Sequence, residues 1–443
     1  MEKLAILGGK PAIEEKPYPE LFKWPIMGQE DYDAAMDVIV KNKFSGNDIT
    51  EKFQAEFADW IGSKYAVCFT NGTMSLQVAM YGIGLSKGDE IICPTKTYWA
   101  SIASAYCFGA VPVFANINDD LVLDPNDLER CLSPKTKAIM VVHYLGMPCD
   151  MDAIMAFAKK HNLKVIEDVS HAQGGKYKGK RLGTFGDVAG MSLMSTKSFA
   201  AGELGILVTD DVTIYERALA YGHYEKNCSK YITVNKDLEP YFFIPHGAIK
   251  GRANQVCSAL ARVQLKYYDE RCAEVRKAMN YFYDQLEGVP GLHITRVDEK
   301  EGSTMGGFYA PYLTYKSEEL GGLTVARFCE ALRAEVEIAD KNTGHPGSNY
   351  CLHTHPYFQT LDVLNEGKPT RIANSDRDVR ELDKDCKKSE LIDCISLPRF
   401  VKFDKEWIDK FADAIKKVVA NHKELISADN DKDKGGHWFY AVN

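Results

Sequence analysis

The chain has 443 residues, 45% of them hydrophobic, which suits two or three domains and a sizeable core. A net charge of −8 with no dense Lys/Arg cluster argues against a nucleic-acid partner, because phosphate contacts need such clusters. No apolar run reaches the ~18 residues of a membrane span and Met1 to Ala12 holds no apolar leader core, so no membrane partner is expected and the chain reads as soluble and cytoplasmic.

Residues 1–28 carry Pro11, Pro17, Pro19 and Pro25 with little periodicity and read as an extended N-terminal arm. Tyr32, Ala35, Met36, Ile39 and Val40 have helical spacing over 29–42, and Phe53, Phe57 and Trp60 mark a second helix over 51–61. Short apolar runs at 65–69, 90–93, 111–115, 137–142 and 163–167 then alternate with helix-length segments at 73–84, 98–108, 125–132 and 151–161. That alternation predicts an α/β layer with a mostly parallel central sheet flanked by helices, in which a ligand sits at the carboxyl ends of the strands. A large domain over 29–252 follows from it. From 253 a long helical stretch has no breaker until Gly288, after which a strand at 308–315 and helices at 322–334 and 405–420 suit a smaller α+β domain. The linking helix and this C-terminal domain together fill 253–443, ending in a charged run from Ser427 that is expected to be loose.

Twelve cysteines include no C-x-x-C, and Cys68, Cys93 and Cys107 fall in or beside apolar segments, so reduced thiols are expected. His353 and His355 are the closest histidine pair and no carboxylate or thiol pattern completes a zinc set; no metal site is expected.

The chemistry concentrates between Glu167 and Gly205. Asp168 closes the run Leu163, Val165, Ile166, and Lys197 follows a second apolar run about thirty residues on. A strand-end aspartate and a later lysine are what a pyridoxal 5'-phosphate (PLP) site requires: the amine forms a Schiff base and the carboxylate pairs with the protonated pyridine nitrogen. Asn71-Gly72-Thr73 follows a strand and opens a helix, whose first N–H groups and dipole attract an anion. On residue types alone each feature has an ordinary alternative: solvated surface charges, a plain strand-to-helix turn, a core aromatic.

The order of positions resembles the DegT/StrS-type sugar aminotransferases, a branch of the fold-type I PLP enzymes. The resemblance rests on Glu167-Asp168, the H-x-Q-G beginning at His171, the Y-K-G-K beginning at Tyr177, Gly186-Asp187, Ser192, Thr196-Lys197 and the G-E-x-G from Gly202 to Gly205. NGTMSL at 71–76 and PTKTYWAS at 94–101 extend it. It implies that Lys197 is the Schiff-base lysine and Asp168 the pyridinium partner. Gly72, Thr73 and Ser192 would hold the cofactor phosphate, Tyr98 would stack on its ring with Trp99 as a neighbour, and His171 would touch its phenolic oxygen. Glu203 would be architectural and His143 local structure. Before the long helix the family places an asparagine two residues ahead of an arginine; here Lys250 stands before Arg252 and would reach the neighbouring subunit's cofactor instead. His353, in L-H-x-x-P-Y, is a candidate substrate contact. A homodimer with shared active sites, a glutamate or glutamine donor and a keto sugar or keto cyclitol acceptor follow from the resemblance, and the N-terminal LAILGGKPA leans toward free cyclitols.

Three rivals stand beside this. Sugar dehydratases that discard the amine carry histidine in place of the lysine, and iron–sulfur partners need a cysteine spacing that Cys386 and Cys394 lack. A non-catalytic PLP-binding regulator would hold the cofactor without amine exchange. A nucleotide-binding α/β protein is disfavoured by the lack of G-x-G-x-x-G and G-x-x-x-x-G-K-[ST].

Overall fold

The computed structural model describes residues 2–223, 228–244, 246–427 and 429. Its strands are β1 (Tyr65–Phe69), β2 (Glu90–Pro94), β3 (Val111–Ala115), β4 (Thr136–Val142), β5 (Lys164–Asp168), β6 (Lys176–Tyr177), β7 (Lys180–Arg181), β8 (Val188–Ser192), β9 (Gly205–Thr209), β10 (Leu292–Ile294), β11 (Tyr312–Tyr315) and β12 (Asp393–Ser396). Seven of them form one sheet in the order β1-β9-β8-β5-β4-β2-β3. Only β9 runs against the rest, pairing antiparallel with both β1 and β8. The sheet is therefore mostly parallel, as the alternation predicts. Helices cover its faces, and β2, β3 and β9 are buried throughout, which is why these strands read as continuous apolar runs without a polar alternation.

Helix α1 spans Gln29–Val40, α2 spans Asp48–Ile61 and α3 spans Gly72–Gly82. Asn71 caps α3 by accepting the Met74 N–H at 2.9 Å, so the turn after β1 is fixed by a side chain its own sequence supplies. The long helix Gln255–Leu286 starts at an Asn254 cap. Beyond it a three-stranded antiparallel sheet, β10-β11-β12, joins the helices Val325–Val336 and Lys405–Ala420 in the smaller C-terminal part.

The N-terminal segment contains 3-10 turns at Ala5–Leu7 and Pro19–Leu21, and it buries Leu4, Ile13 and Leu21. Its amides at Ala5 and Ala12 donate to the two carboxylate oxygens of the buried Glu335 at 2.8 and 2.7 Å, on the small-domain helix. Trp24, further along, donates its indole N–H to the Lys197 carbonyl at 3.0 Å.

Three local expectations are corrected. The helix expected over 98–108 is two 3-10 turns, Trp99–Ser101 and Ala103–Phe108, broken at Ile102. The first turn is pulled inward by Ser101, whose hydroxyl meets Thr97 at 3.0 Å and Asp168 at 2.7 Å. The helix expected over 125–132 is a 3-10 turn at Pro125–Asp127 followed by Leu128–Cys131. Of the strand expected over 308–315, Tyr312–Tyr315 alone pairs; Gly306 and Phe308 take positive φ and turn the preceding segment along the sheet's end. Apart from residue 429, the charged tail from 428 lies outside the described residues.

Candidate active site

The carboxyl ends of β2, β4, β5 and β8, the start of α3 and a strip of the small domain enclose a cavity of about 440 Å³. Gly72, Thr73, Tyr98, Asp168, His171, Ser192 and Lys197 all line it. Glu203, in the turn after Lys197, lines it too. Lys250 and His353 are not part of this wall. Lys250 is exposed on the loop before the long helix. His353 is buried between its neighbours: its Nδ1 lies 2.5 Å from Thr95 Oγ1 and its Nε2 lies 2.9 Å from Glu390, so in this chain it braces the loop after β2.

Asp168 ends β5, paired with Val142 on one side and Gly190 on the other. Its Oδ1 accepts the Ser170 N–H at 3.0 Å and its Oδ2 accepts the Ser101 hydroxyl at 2.7 Å. Two donors hold a buried carboxylate in one orientation and leave lone pairs for a cationic ring N–H. One residue back, Glu167 points away from the cavity. Burial alone would push its carboxyl up; hydrogen bonds from His143 and from the Gly186 and Gly183 amides outweigh that and leave it below the usual range. His143 accepts the Cys149 N–H at Nδ1 and donates from Nε2 to Glu167, a structural pair at the strand ends.

Lys197 is 9% exposed, and its Nζ stands 4.1 Å from the Tyr309 ring centroid. Among the described residues no carboxylate lies within ion-pair distance of this amine. Its backbone is held at both ends, N–H to the Met194 carbonyl at 2.8 Å and C=O to Trp24. His171 packs against Tyr309, with ring centroids 4.4 Å apart, and accepts the Leu145 N–H at Nδ1. The imidazole therefore carries its proton on Nε2, and burial followed by the Lys197 charge holds it well below its ordinary pKa, neutral near pH 7. Leu145 achieves this contact at φ 53, a left-handed conformation uncommon for a branched residue.

Gly72 packs closely against β8. A Cβ built there would lie 2.6 Å from Ser192 Cβ and 2.7 Å from its Cα and N, so any larger residue would close the gap between the start of α3 and β8. Gly72 and Thr73 at the start of α3 thus line the cavity beside Ser192, an arrangement that suits a phosphate. An amine without a carboxylate partner among the described residues, a rigid carboxylate, a neutral imidazole donor and a candidate anion cradle lie in one cavity. They fit the four functional parts of PLP: aldehyde, pyridine nitrogen, phenolic oxygen and phosphate.

Sequence reasoning did not single out Ser101, Tyr144, Tyr309, Ser348 or Asn349, all of which line the cavity. Ser101 had a signal, since it closes the quoted PTKTYWAS segment. The others come from positions whose approach to the strand ends no local pattern reveals.

Residues 25–416 match the DegT/DnrJ/EryC1/StrS aminotransferase family. The L-glutamine:scyllo-inosose aminotransferase of Streptomyces griseus is 29% identical over 354 residues, covering 77% of this chain and 81% of that one. The GDP-perosamine synthase of Escherichia coli O157:H7 is 36% identical over 245 residues, covering 55% of this chain and 64% of its own length, a little under two thirds. Among solved structures, the aminotransferase from Psychrobacter cryohalolentis superposes with a TM-score of 0.74 at 27% identity, over 91% of this chain and all of that one.

Proposed function

The chain belongs to the DegT/DnrJ/EryC1/StrS aminotransferase family, and from that premise we propose that it moves an amino group from glutamate or glutamine to the carbonyl carbon of a keto sugar or keto cyclitol by a ping-pong scheme. The observation that carries the reading is the buried Lys197 amine, free of any acid among the described residues, in the same cavity as the rigidly held Asp168 carboxylate. The family is PLP-dependent. When bound, the cofactor supplies an electrophilic carbon and a conjugated ring that takes up electrons. Lys197 would hold it covalently at rest. Released by the donor, Nζ takes the donor's α-proton and in the second half-reaction delivers a proton to the acceptor's former carbonyl carbon. Asp168 would keep the ring nitrogen protonated, and the Nε2–H of His171 would donate to the phenolic oxygen. The start of α3 with Ser192 would hold the phosphate, and Tyr98 would pack against the ring.

The two named relatives divide over the acceptor, one a free cyclitol by its name and the other a GDP-linked product. The low cation content of the cavity wall supports the free ring. A homodimer, with Lys250 reaching the partner's cofactor, is supported by the exposed apolar stripe Tyr32, Met36, Ile39 and Val40 along α1.

The test is the visible spectrum of purified protein with PLP, before and after donor is added without acceptor. A yellow band that bleaches with glutamine or glutamate and returns with a keto acceptor supports the reading, and Lys197→Ala abolishes both the band and at least ~10³-fold of the turnover. A band indifferent to every donor would favour a dehydratase or a regulatory binder.

A further inference from the structure

The wall opposite β5 is built by the small domain and differs in character from the cofactor side. Tyr309 to Tyr312, Gly347 to Asn349 and Ser396 contribute to it, and none of them is charged. Two of their side chains are already used: the Tyr312 hydroxyl donates to the Asp120 carbonyl at 2.8 Å, and Ser396 Oγ donates to the Asn342 carbonyl and accepts the His345 N–H. Ser348 is 6% exposed, and its Oγ, close to the Tyr144 hydroxyl and the Cys394 thiol, has no well-aligned hydrogen bond among the described residues. Tyr144 accepts the Asn349 N–H at 3.3 Å and keeps its own proton to give. Burial pushes that phenol up, so it stays a donor at any working pH. The side-chain amide of Asn349 has no partner among the described residues, and it adds a donor and an acceptor.

We infer that Tyr144, Ser348 and Asn349 form a hydroxyl-recognition edge that reads adjacent ring hydroxyls of an uncharged polyhydroxylated acceptor. The inference rests on the aminotransferase reading and deepens it by naming the acceptor class. A sequence of ring contacts places the edge near the chemistry: Tyr144 lies 5.4 Å from His171, His171 4.4 Å from Tyr309, and the Tyr309 ring 4.1 Å from the Lys197 amine. A buried hydroxyl without a well-aligned partner among the described residues, beside a neutral donor and an amide, matches a vicinal diol, each of whose oxygens both donates and accepts. The charged groups of the described wall are Lys197, Asp168 and Glu203. A diphosphate would meet two carboxylates and one amine already engaged, which disfavours a nucleotide-linked sugar at this edge.

The experiment compares kcat/KM of the PLP-loaded enzyme for a free inosose, for its mono-deoxy analogues and for a nucleotide-linked keto sugar, in wild type and in Ser348→Ala, Asn349→Ala and Tyr144→Phe. Calorimetric binding of the parent cyclitol, which has no keto group and cannot react, is measured alongside. The wild type is expected to prefer the hydroxylated ring over one of the deoxy analogues by about tenfold or more. Ser348→Ala and Asn349→Ala are expected to bring that ratio toward one, through KM more than kcat, and to weaken cyclitol binding by a similar factor. A variant that merely perturbed structure would slow both substrates alike and leave the ratio unchanged, which would overturn the inference. So would a wild-type preference for the nucleotide-linked sugar over every free ring. Because Asn349 is only half-buried, its variant remains informative where the Ser348 variant fails to fold. A donor that never bleaches the band would overturn the aminotransferase reading itself, a distinct result from an altered ratio.

Discussion

At the scale of single residues, the site separates charge from orientation. Asp168 supplies the charge, and Ser101 supplies much of the orientation through its 2.7 Å hydrogen bond to Oδ2. A hydrogen bond to an ionised acceptor is worth about 1.5–3 kcal/mol. Ser101→Ala is therefore expected to slow the donor half-reaction about tenfold, because the carboxylate keeps its charge and its Ser170 amide but gains freedom to rotate. Asp168→Asn removes the charge that keeps the ring nitrogen protonated and is expected to cost about 10²–10³-fold or more. Single-turnover bleaching with saturating donor measures both. A Ser101→Ala enzyme at the wild-type rate would show that the strand alone fixes Asp168.

At the scale of elements, three pieces of backbone meet where the phosphate is expected: the start of α3, β8 and β9. The approach depends on two glycines. A Cβ at Gly72 would press on Ser192, and one at Gly205 would lie 2.1 Å from the Asn71 carbonyl oxygen. Gly72→Ala is expected to push α3 away from β8 and weaken PLP binding by at least about tenfold, with a lower Tm, because overpacking at backbone contacts costs about 1–3 kcal/mol. Gly28→Ala is the control, since a Cβ there meets nothing within 4 Å. Cofactor titration by quenching of tryptophan fluorescence reads the difference, and equal affinities in the two variants would remove the cradle argument. This α3 junction was legible in the sequence, because the cap, the glycine and the strand before it are consecutive. The segment 98–108 was not. Its apolar spacing is helical, and only the distant Asp168 explains why the first turn bends inward. Nor could the order of residues show that β9 inserts antiparallel between β1 and β8, since a strand's direction depends on its partners more than on its composition. The small-domain wall was least legible of all: Tyr309, Ser348 and Ser396 are separated by long stretches of chain and meet only when β11 and β12 pair and the cavity closes.

At the scale of the whole molecule, the N-terminal segment and the small domain both reach the reactive lysine. Trp24 donates to the Lys197 carbonyl, the Arg399 guanidinium stacks 4.2 Å over the Trp24 ring, and Arg399 Nε donates to the Gly307 carbonyl two residues before Tyr309. Stability of the fold and geometry of the site are thus coupled, and acid should disturb both. His223, just past the helix Val212–Gly222 and fully buried, donates from Nε2 to the Cys68 carbonyl of β1, while its Nδ1 has no hydrogen-bond partner among the described residues. Burial is the main cause that lowers its pKa from 6.5 to about 4. The unfolded chain therefore binds a proton at this residue that the folded chain refuses. The stabilising contribution is complete above pH 6.5 and is lost as pH falls through the folded value near 4. From these two values the loss at pH 5 is about 2 kcal/mol. His171, also held low by burial, adds to the same trend. His223→Gln keeps a donor for Cys68 but cannot titrate. Urea unfolding at pH 7.5 and pH 5 should show a smaller drop in midpoint for this variant than for the wild type, with the remainder assigned to His171 and other groups. An identical drop in both proteins would mean that His223 takes up its proton without unfolding the strand it supports.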